Sequence, residues 1–573
     1  MLIEIHMIQN HSPANMNRDD LGAPKTCVFG GVPRARISSQ CLKRSIRNPG
    51  NPDDVHKREP GVFAKAMAGH IGTKTKYFPW LVEQVLIDSP IPTEEHRRIV
   101  LAAQRIATSK EKDDAKRSSG SGADPRPKTA QLIHLGPGHA GYYVQKLAQL
   151  RETHKDQYEY ALNVVVGFQE MVRDLVAESN LKDEDQERIV KGCWLIAKCR
   201  MRELLKEPGG QESQPEPEME DEQPGTEHAK LVAERLVDLC TSDNKRFRDL
   251  TKGANQEEKK QVKDDAPVKP KKMDEFTDAL KAANRCDAVD IALFGRMTTS
   301  DAFQDVEAAM QVAHAISTHA TVTETDYFTA VDDLGKSGGG AGHVDEAMYV
   351  SPCLYKYFSL DWDQLVFNLS GPEPDAHASR EASKEWNETI RPKAVKLAAA
   401  TLGHFIQAAA LTSPSGKQNS HASNCEPCAI LVEIKDKKIP TNYANAFAEP
   451  VRRIGDAPDD SADYVSLIGR SVAQFGDHVY ALRQAYGVDS TLLWYTLQTW
   501  RYPLQGWERE TDGRKKRVND KEQPPVPVAS QVFGMLGGEK EHPAGLVEAV
   551  VKEVSGLDWK DVCKPGKASA EEA

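Results

Sequence analysis

Residues 3–7 alternate between apolar and polar side chains. Ile3, Ile5 and Met7 are apolar and their neighbours are polar, which is the period of a β-strand with one buried face. The segment 11–31 carries two prolines and three glycines, which predicts a loop. A short extended stretch follows this loop and leads into the next element.

A short amphipathic helix is predicted at 39–48. Ser38 or Ser39 can cap its first turn, and a Pro-Gly pair ends it. Leu42 and Ile46 share one side of this helix. Its polar side, spaced i, i+3, i+4 and i+7, consists of Gln40, Lys43, Arg44 and Arg47.

Helical periodicity dominates the long region that follows, and strands return after it. Polar stretches interrupt the helical pattern at 109–128, 206–228 and 251–273. The run 289–294 has the composition of a strand, whereas 309–318 fits a strand or a helix. The further predicted elements are a glycine-bounded hairpin at 320–350, helices at 393–411 and 463–486, and strands at 429–434 and 491–500. Strands at both ends of the chain predict one α+β domain with a helical insertion.

Composition places the chain among globular proteins. It has 573 residues, of which 39% are hydrophobic and 28% charged, enough to bury a core. We find no apolar run long enough to span a bilayer and no signal peptide, so we expect no membrane partner. The ten cysteines follow no framework spacing, which favours reduced thiols and a cytoplasmic location.

Positive charge is concentrated near the N-terminus of an acidic chain. The net charge is −11, yet 18–47 holds seven Arg or Lys against two Asp and is therefore +5. Arg18 and Lys25 lie on the loop before the basic helix, and Ser38 lies at its start. These groups can converge on a phosphate track, although a solvated basic face explains the charge alone.

Several ordered motifs in the sequence resemble one known family. They are NRDD at 17–20, PKT at 24–26, FGG at 29–31, RISSQCLKR at 36–44, VDIALFGRM at 289–297, AHAISTH at 313–319, DYFTAVDD at 326–333, GKQN at 416–419 and ANAF at 444–447. They resemble the CasC family, the guide-RNA-binding backbone subunits of the type I-E CRISPR Cascade complex within the RAMP superfamily. The resemblance covers about half of the chain, and it preserves the order of the motifs.

The resemblance implies an RRM-like (ferredoxin-like) palm with a helical finger insertion and a thumb hairpin. The implied boundaries are 1–58, 286–319 and 353–504 for the palm, 59–285 for the fingers, 320–352 for the thumb and 505–573 for a polar tail with a short final helix. The stretches at 206–273 and after 505 look like additions to the family pattern.

The resemblance also implies a function and a set of site residues. Such a subunit binds crRNA in multiple copies, contacts further copies head to tail and other Cascade subunits, and meets target DNA through the guide. It is not an enzyme and needs no cofactor. The implied RNA-binding residues are Arg18, Lys25, Ser38, Gln40, Lys43, Arg44, Arg47, Met297, Phe328, Thr329 and Lys417. For Phe328 core packing remains an alternative, and for Lys417 an ordinary surface turn.

Two other functions compete with this interpretation. An RNA endonuclease could use an acid of the loop at Asp19 or Asp20, with His11 close by in the sequence. A scaffold that binds no nucleic acid would leave the +5 segment unexplained. A metal site at His421, Cys425 and Cys428 would lack a fourth ligand, so we expect these cysteines to pack in the core.

Overall fold

The computed structural model describes residues 1–50, 59–105, 126–129, 132–153, 288–298, 305–330, 343–374, 379–451, 466–497, 508–509, 515–516 and 538–564. The chain divides into two compact units. We call the first the sheet unit, which comprises 1–73, 285–297 and 305–569. We call the other the helical unit, which comprises 74–284, 298–304 and 570–573.

The strands and helices have the following bounds. The strands are β1 (Leu2–Asn10), β2 (Thr26–Phe29), β3 (Val32–Ile37), β4 (Thr73–Thr75), β5 (Ile133–Leu135), β6 (Met310–Val312), β7 (Ala315–Ser317), β8 (Glu324–Ala330), β9 (His343–Tyr349), β10 (Cys353–Asp361), β11 (Ala429–Lys435), β12 (Thr491–Thr496), β13 (Glu508–Arg509) and β14 (Lys515–Lys516). The helices are α1 (Ser39–Arg47), α2 (Val62–Ala66), α3 (Phe78–Leu86), α4 (Thr93–Arg105), α5 (His139–Thr153), α6 (Val289–Phe294), α7 (Trp362–Ser370), α8 (Arg380–Glu385), α9 (Arg391–Leu411), α10 (Gln418–His421), α11 (Leu467–Tyr486), α12 (Pro543–Ser555) and α13 (Trp559–Val562).

The sheet unit is built on an antiparallel sheet whose strand order identifies the fold. The order is β12-β11-β1-β10-β7-β3-β2, and β6 also pairs with β10. Taken along the chain, β1, α1, β6 with β7, β10, α9 and β11 form a β-α-β-β-α-β unit in which the last strand and the third flank the first. This order confirms the predicted α+β, ferredoxin-like fold.

Strand β1 lies at the centre of the sheet and is buried on both faces. Ile3, Ile5 and Met7 pack against α6, α9 and α12 in one core cluster. The prediction of one exposed face is wrong, because Glu4 and His6 are also fully buried. Glu4 accepts hydrogen bonds from Tyr357 and from the amide of Thr441 and pairs with Lys435, which compensates its burial.

The second face of the sheet carries aromatic side chains that are covered by α11. Tyr355 and Tyr357 pack there with Phe475 of α11, and the His6 ring stacks 5.0 Å from that of Tyr357. RRM domains use aromatic residues on the open sheet face to stack RNA bases. In this chain the aromatic side chains on that face pack in the protein's own core instead.

Local patterns predicted several described elements of the sheet unit. The structure confirms α1, α9, β11, the start of β12 and an antiparallel β8–β9 hairpin. The segment 309–318, for which the sequence allowed a strand or a helix, forms strands β6 and β7. Strand β2 falls within the predicted loop. The strand predicted at 289–294 is wrong: this run is α6, which ends at Gly295 with φ of 78°. A buried six-residue run does not distinguish helix from strand.

The C-terminal segment closes the main core. Helix α12 buries Leu546, Val547, Val550 and Val551, and Trp559 packs so close to α9 that a Cβ on Gly403 would lie 2.2 Å from its ring. The sequence predicted a short final helix here but not its burial. The helical run 380–411 is long and apolar enough to cross a bilayer, but 72% of its most apolar window is buried in the fold. Such burial is typical of a core helix.

The described part of the helical unit has its own small core. Phe78, Val82 and Leu86 of α3 pack against α4, α5 and β5. Strand β4 pairs with β5 beside this core. The polar stretches at 206–228 and 251–273 lie outside the described residues.

Candidate nucleic-acid interface

Helix α1 carries the predicted basic side chains on the surface of the sheet unit. Its apolar side is anchored, because Leu42 and Ile46 are each 2% exposed. Gln40 and Arg44 are exposed and Lys43 is half-buried. The hydroxyl oxygen of Ser38 accepts a 3.4 Å hydrogen bond from the amide of Cys41 and caps the helix. The predicted amphipathic helix is therefore present.

The last basic residue of α1 is committed to a buried ion pair. The Arg47 guanidinium donates to Oδ2 of Asp290 on α6 and, at 2.6 Å, to the carbonyl oxygen of Gly72. The other Asp290 oxygen accepts from the Gly72 amide at 2.7 Å, and Asp290 is fully buried. Arg47 thus joins α1 to α6 and to residue 72.

Lys43 has a different environment from its neighbour Arg44. Its Nζ lies 5.7 Å from the centre of the Phe294 ring, a cation–π contact with α6. Partial burial lowers the pKa of Lys43. Of the three basic side chains on this face, Arg44 is the most exposed to solvent.

Asn17 joins the preceding loop to the start of α1. Its side-chain oxygen accepts a 2.9 Å hydrogen bond from the amide of Ser38. Its carbonyl oxygen accepts from the amide of Lys25 at 2.8 Å, and Arg18 forms a backbone bridge with Pro24. Arg18, Lys25 and Ser38 are therefore brought together. Sequence reasoning did not single out Asn17, although Asn is a common side chain for bonding to nearby backbone.

Arg36 and His314 adjoin this loop and were missed as site residues. The Nη1 of Arg36 donates to Nδ1 of His314 at 3.2 Å, and β3 pairs with β7 so that Ile37 faces Ala315, which places His314 beside Ser38. Because arginine can only donate, Nδ1 is the acceptor and Nε2 carries the proton of the neutral ring. Partial burial and the nearby cations Arg36 and Lys25 lower the pKa of His314.

Not every cation of the +5 segment is on the surface. Arg34 is fully buried, and its guanidinium donates to the carbonyl oxygens of Phe29, Ser317 and Phe447 at 3.2, 3.1 and 2.7 Å. It holds together the sheet and the loop around 447, so its charge is not part of the outer surface.

The Gly416–Lys417 turn lies against the same N-terminal loop. A Cβ on Gly416 would meet the carbonyl oxygen of Met16 at 2.4 Å, so only glycine allows this approach. Residues on both sides line a cleft of about 470 Å³, namely Met16, Asn17, Arg18, Asp19, Asp20, Gly22 and Gly416. Lys417 follows directly, in the left-handed region with φ of 48°.

The conformation of Lys417 allows a clean test of its charge. Asparagine tolerates the left-handed region better than other non-glycine residues, so Lys417→Asn removes the charge without adding strain. We expect about a threefold weaker affinity for RNA, the loss of one phosphate contact, with an unchanged melting temperature. Fluorescence anisotropy with a labelled RNA measures this change, and Lys417→Arg is the matched control. Equal affinities of Lys417→Asn and the wild type would make this loop an ordinary surface turn.

The remaining predicted RNA-binding residues lie elsewhere on the sheet unit. Met297 follows α6 and is 92% exposed. Phe328 and Thr329 lie on β8, where Phe328 is 43% exposed and faces Asp345 of β9. Phe328 is therefore not a core residue of this chain. Every described β8 side chain is exposed, so the hairpin stands away from the sheet.

The groups proposed for nuclease or metal chemistry have structural roles or lie apart. The Asp19 carboxylate accepts 2.9 Å hydrogen bonds from the amides of Leu21 and Ala23, which close a turn. His11 is buried, and this burial together with the charge of Lys356 lowers its pKa to about 4. Within the described ranges, no group of three or more His, Cys, Asp or Glu side chains is arranged to hold a metal ion.

A comparison with protein families assigns the chain to one of them. The Cas_CT1975 family of CT1975-like proteins matches residues 3–191 and 168–520. This chain belongs to that family. The matched ranges include every predicted site residue, whereas α12 and α13 lie beyond them.

Solved structures similar to this CT1975-like protein are distant. One chain, described as "CRISPR RNA-guided surveillance complex, pre-nicking", has 19% identity and a TM-score of 0.49, with 97% of this chain and 100% of that chain covered. Another, described as "CRISPR RNA-guided surveillance complex", has 16% identity and a TM-score of 0.39, with 96% and 99% covered. No curated protein matches the sequence. The fold assignment rests on the strand order described above.

Proposed function

We propose that this chain binds CRISPR guide RNA in multiple copies and forms the helical backbone of a type I-E Cascade complex. The observation that carries the proposal is the convergence of basic groups around the start of α1. Asn17 holds Lys25 and Ser38 together there, Arg36 adjoins them, and the exposed side of α1 continues the positive surface. The chain as a whole is acidic, with a net charge of −11. Local positive charge of this kind suits a phosphate backbone.

The geometry favours contacts with the RNA backbone over recognition of its bases. Lysine and arginine neutralise phosphates without reading sequence. The aromatic sheet face that RRM domains use for stacking is covered by α11, whose Phe475 packs on Tyr355. A subunit that holds only the backbone leaves guide bases available to pair with target DNA, which then supplies the specificity.

The β8–β9 hairpin supports assembly of several copies along one guide. A two-stranded hairpin is marginally stable alone in water, and this one exposes Tyr327, Phe328 and Val344. An adjacent copy with its RNA would cover these side chains. A hairpin that contacts a different surface of the next copy makes a heterologous interface, which builds open filaments.

We propose a binding role without catalysis. The turn amides of Leu21 and Ala23 hold the Asp19 carboxylate, which disfavours it as a general base. Incubation of the assembled protein with labelled target RNA and Mg²⁺ or Mn²⁺ discriminates the two functions. Specific cleavage that is lost in Asp20→Asn would establish the nuclease instead.

Co-expression with a CRISPR transcript tests the proposed function directly. We expect the purified protein to carry RNA of one defined length, in which regularly spaced nucleotides differ from the rest in chemical probing. Particles that contain protein without RNA, or RNA of random sequence and length, would contradict the proposal.

Phe328→Ala tests the role of the hairpin. Phe328 is 43% exposed in the single chain, so we expect the isolated subunit to keep its melting temperature. Assembly on guide RNA should weaken about tenfold, because stacking on a base contributes about 1–3 kcal/mol. Native mass spectrometry of copies per guide measures the effect.

The matched control for Phe328→Ala lies on the same hairpin. Met348 pairs with Thr325, three residue pairs nearer the start of β8 than Phe328, and Met348→Ala should assemble normally. A loss of about 3–5 kcal/mol of stability in the isolated Phe328→Ala subunit, as for core aromatic residues, would instead assign Phe328 to packing.

A further inference from the structure

The root of the β8–β9 hairpin rests on the N-terminal loop. Ala14 and Val350 form a backbone bridge there, with N–H···O distances of 2.8 and 3.0 Å. Every described β8 side chain is exposed, so the orientation of the hairpin depends on the contacts at its root. The same loop forms one wall of the cleft of about 470 Å³ that Gly416 closes from the other side. We call it the Gly416 cleft.

Asn15 connects this cleft to the hairpin through a single amide group. Its Nδ2 donates to the carbonyl oxygen of Gly22, which lines the Gly416 cleft, at 2.9 Å. The same nitrogen donates to the carbonyl oxygen of Met348 on β9 at 2.8 Å. Both N–H groups of one planar amide are therefore used, and Asn15 is fully buried. A displacement of one carbonyl relative to the other must break one of these hydrogen bonds.

The opposite wall of the Gly416 cleft also reaches the root of the hairpin. Helix α10 begins directly after Lys417, and its His421 ring lies 6.0 Å from the ring of Tyr349. The Tyr349 hydroxyl donates to the carboxylate of Glu324 at 3.1 Å, and these two residues are paired between β8 and β9. Both walls of the cleft therefore contact the first residue pairs of the hairpin.

The geometry of the hairpin amplifies small movements at its root. Phe328 lies three residue pairs beyond the Thr325–Met348 pair, which is about 10 Å at the rise of an antiparallel strand. A rotation of about 10° at the root therefore displaces Phe328 by about 2 Å. A gap of about 1 Å already removes much of the attraction between packed atoms. The contacts of Asn15 thus control whether Phe328 meets its partner surface.

We propose that Asn15 is a positioning residue that couples the binding of guide RNA beside the Gly416 cleft to the orientation of the β8–β9 hairpin. The inference rests on the proposed function, in which Arg18 and Lys25 belong to the guide track and the hairpin contacts the adjacent copy. Phosphates held by these cations fix the loop around Gly22, and Asn15 transmits its position to Met348. Each copy on the guide then presents its hairpin in the orientation that the next copy binds, which makes assembly cooperative.

RNA length separates this coupling from RNA binding itself. Full-length protein freed of RNA is titrated with crRNA and with the shortest oligonucleotide that one copy binds, which a length series identifies. The cooperativity is the ratio of the affinity of the second copy on crRNA to the affinity for the oligonucleotide. For Asn15→Ala we expect an oligonucleotide affinity within about twofold of the wild type and a cooperativity about tenfold lower, a common size for coupling between sites. Native mass spectrometry counts the copies on each RNA.

The matched control for Asn15→Ala is Asn368→Ala. The Nδ2 of Asn368 also bridges two carbonyl oxygens, those of Ala292 and Glu307, at 2.8 Å each. Asn368 lies on α7 rather than at the hairpin root, so its loss controls for a missing amide bridge. We expect Asn368→Ala to keep the wild-type cooperativity.

Hydrogen exchange of a single copy measures the coupling without assembly. In the wild type, the short oligonucleotide should slow the exchange of backbone amides in 343–350. In Asn15→Ala this protection should be lost although the oligonucleotide still binds. His421→Ala removes the contact of the other wall with Tyr349 and should lose part of the protection. This second variant keeps the test decisive if Asn15→Ala does not fold.

Combination with Phe328→Ala shows whether Asn15 acts through the hairpin. If it does, Asn15→Ala/Phe328→Ala should assemble no worse than Phe328→Ala alone, because effects through one element are not additive. Multiplied losses, an equal loss of affinity for both RNA lengths, or hairpin protection that persists in Asn15→Ala would each overturn the coupling. A wild type that binds neither RNA, or binds crRNA only as a single copy, would instead contradict the proposed function and with it this inference.

Discussion

Reversal of two charges on α1, as Lys43→Glu/Arg44→Glu, is expected to strip RNA from the purified protein. Phosphate contacts supply most of the sequence-independent affinity for nucleic acid. Arg44 is exposed and Lys43 half-buried on the face that continues from Ser38. Two lost contacts and two new repulsions should weaken binding about tenfold to a hundredfold. The absorbance ratio at 260 and 280 nm, together with RNA extraction, measures the loss.

The environment of Lys43 calls for a second variant. Its stem is partly buried and its Nζ lies over the Phe294 ring, so a glutamate there also costs stability. Lys43→Met/Arg44→Gln keeps the apolar stem and removes both charges, and it should lose RNA with an unchanged circular dichroism spectrum. Lys384→Glu/Lys396→Glu, on α8 and α9, controls for total charge. Wild-type RNA content in the folded Met/Gln variant would exclude α1 from the site.

Local signals explain why parts of the interface could be predicted from sequence. Ser38 as cap, Leu42 and Ile46 as the buried side, and Gln40 with Arg44 as the exposed side all follow from the period and capping of one helix. The β8–β9 hairpin likewise follows from the glycines between 335 and 342, which separate two short polar-aromatic runs. Each of these features depends on residues close together in sequence.

Partners far apart in sequence explain what could not be predicted. Arg34 and Arg47 belong to the same +5 segment as Arg44. Nevertheless, Arg34 donates to the carbonyl oxygens of residues 317 and 447, and Arg47 pairs with Asp290. His314 becomes a site candidate only when β7 pairs with β3. Burial also depends on tertiary contacts, which is why an apolar run such as 289–294 was assigned the wrong structure.

Substitution of Asp290 is expected to have the largest effect on stability. Asp290 is fully buried and binds both the Arg47 guanidinium and the amide of Gly72. Asp290→Ala leaves a largely buried guanidinium without its carboxylate, and removal of one partner from such a pair costs about 3–5 kcal/mol. Denaturation of RNA-free protein, followed by circular dichroism, measures the loss.

A double-mutant cycle decides whether Arg47 acts in packing or on RNA. If the ion pair with Asp290 is its role, Arg47→Met alone should destabilise the protein by a similar amount, because it leaves Asp290 buried and uncompensated. The double variant Arg47→Met/Asp290→Leu should then recover part of the loss, with a coupling energy of about 1–3 kcal/mol. Its RNA content, corrected for folded fraction, should match that of the wild type, in contrast to Arg44→Gln. If Arg47→Met instead keeps its stability and loses RNA as Arg44→Gln does, the guanidinium leaves Asp290 to bind phosphate, and Arg47 returns to the guide track.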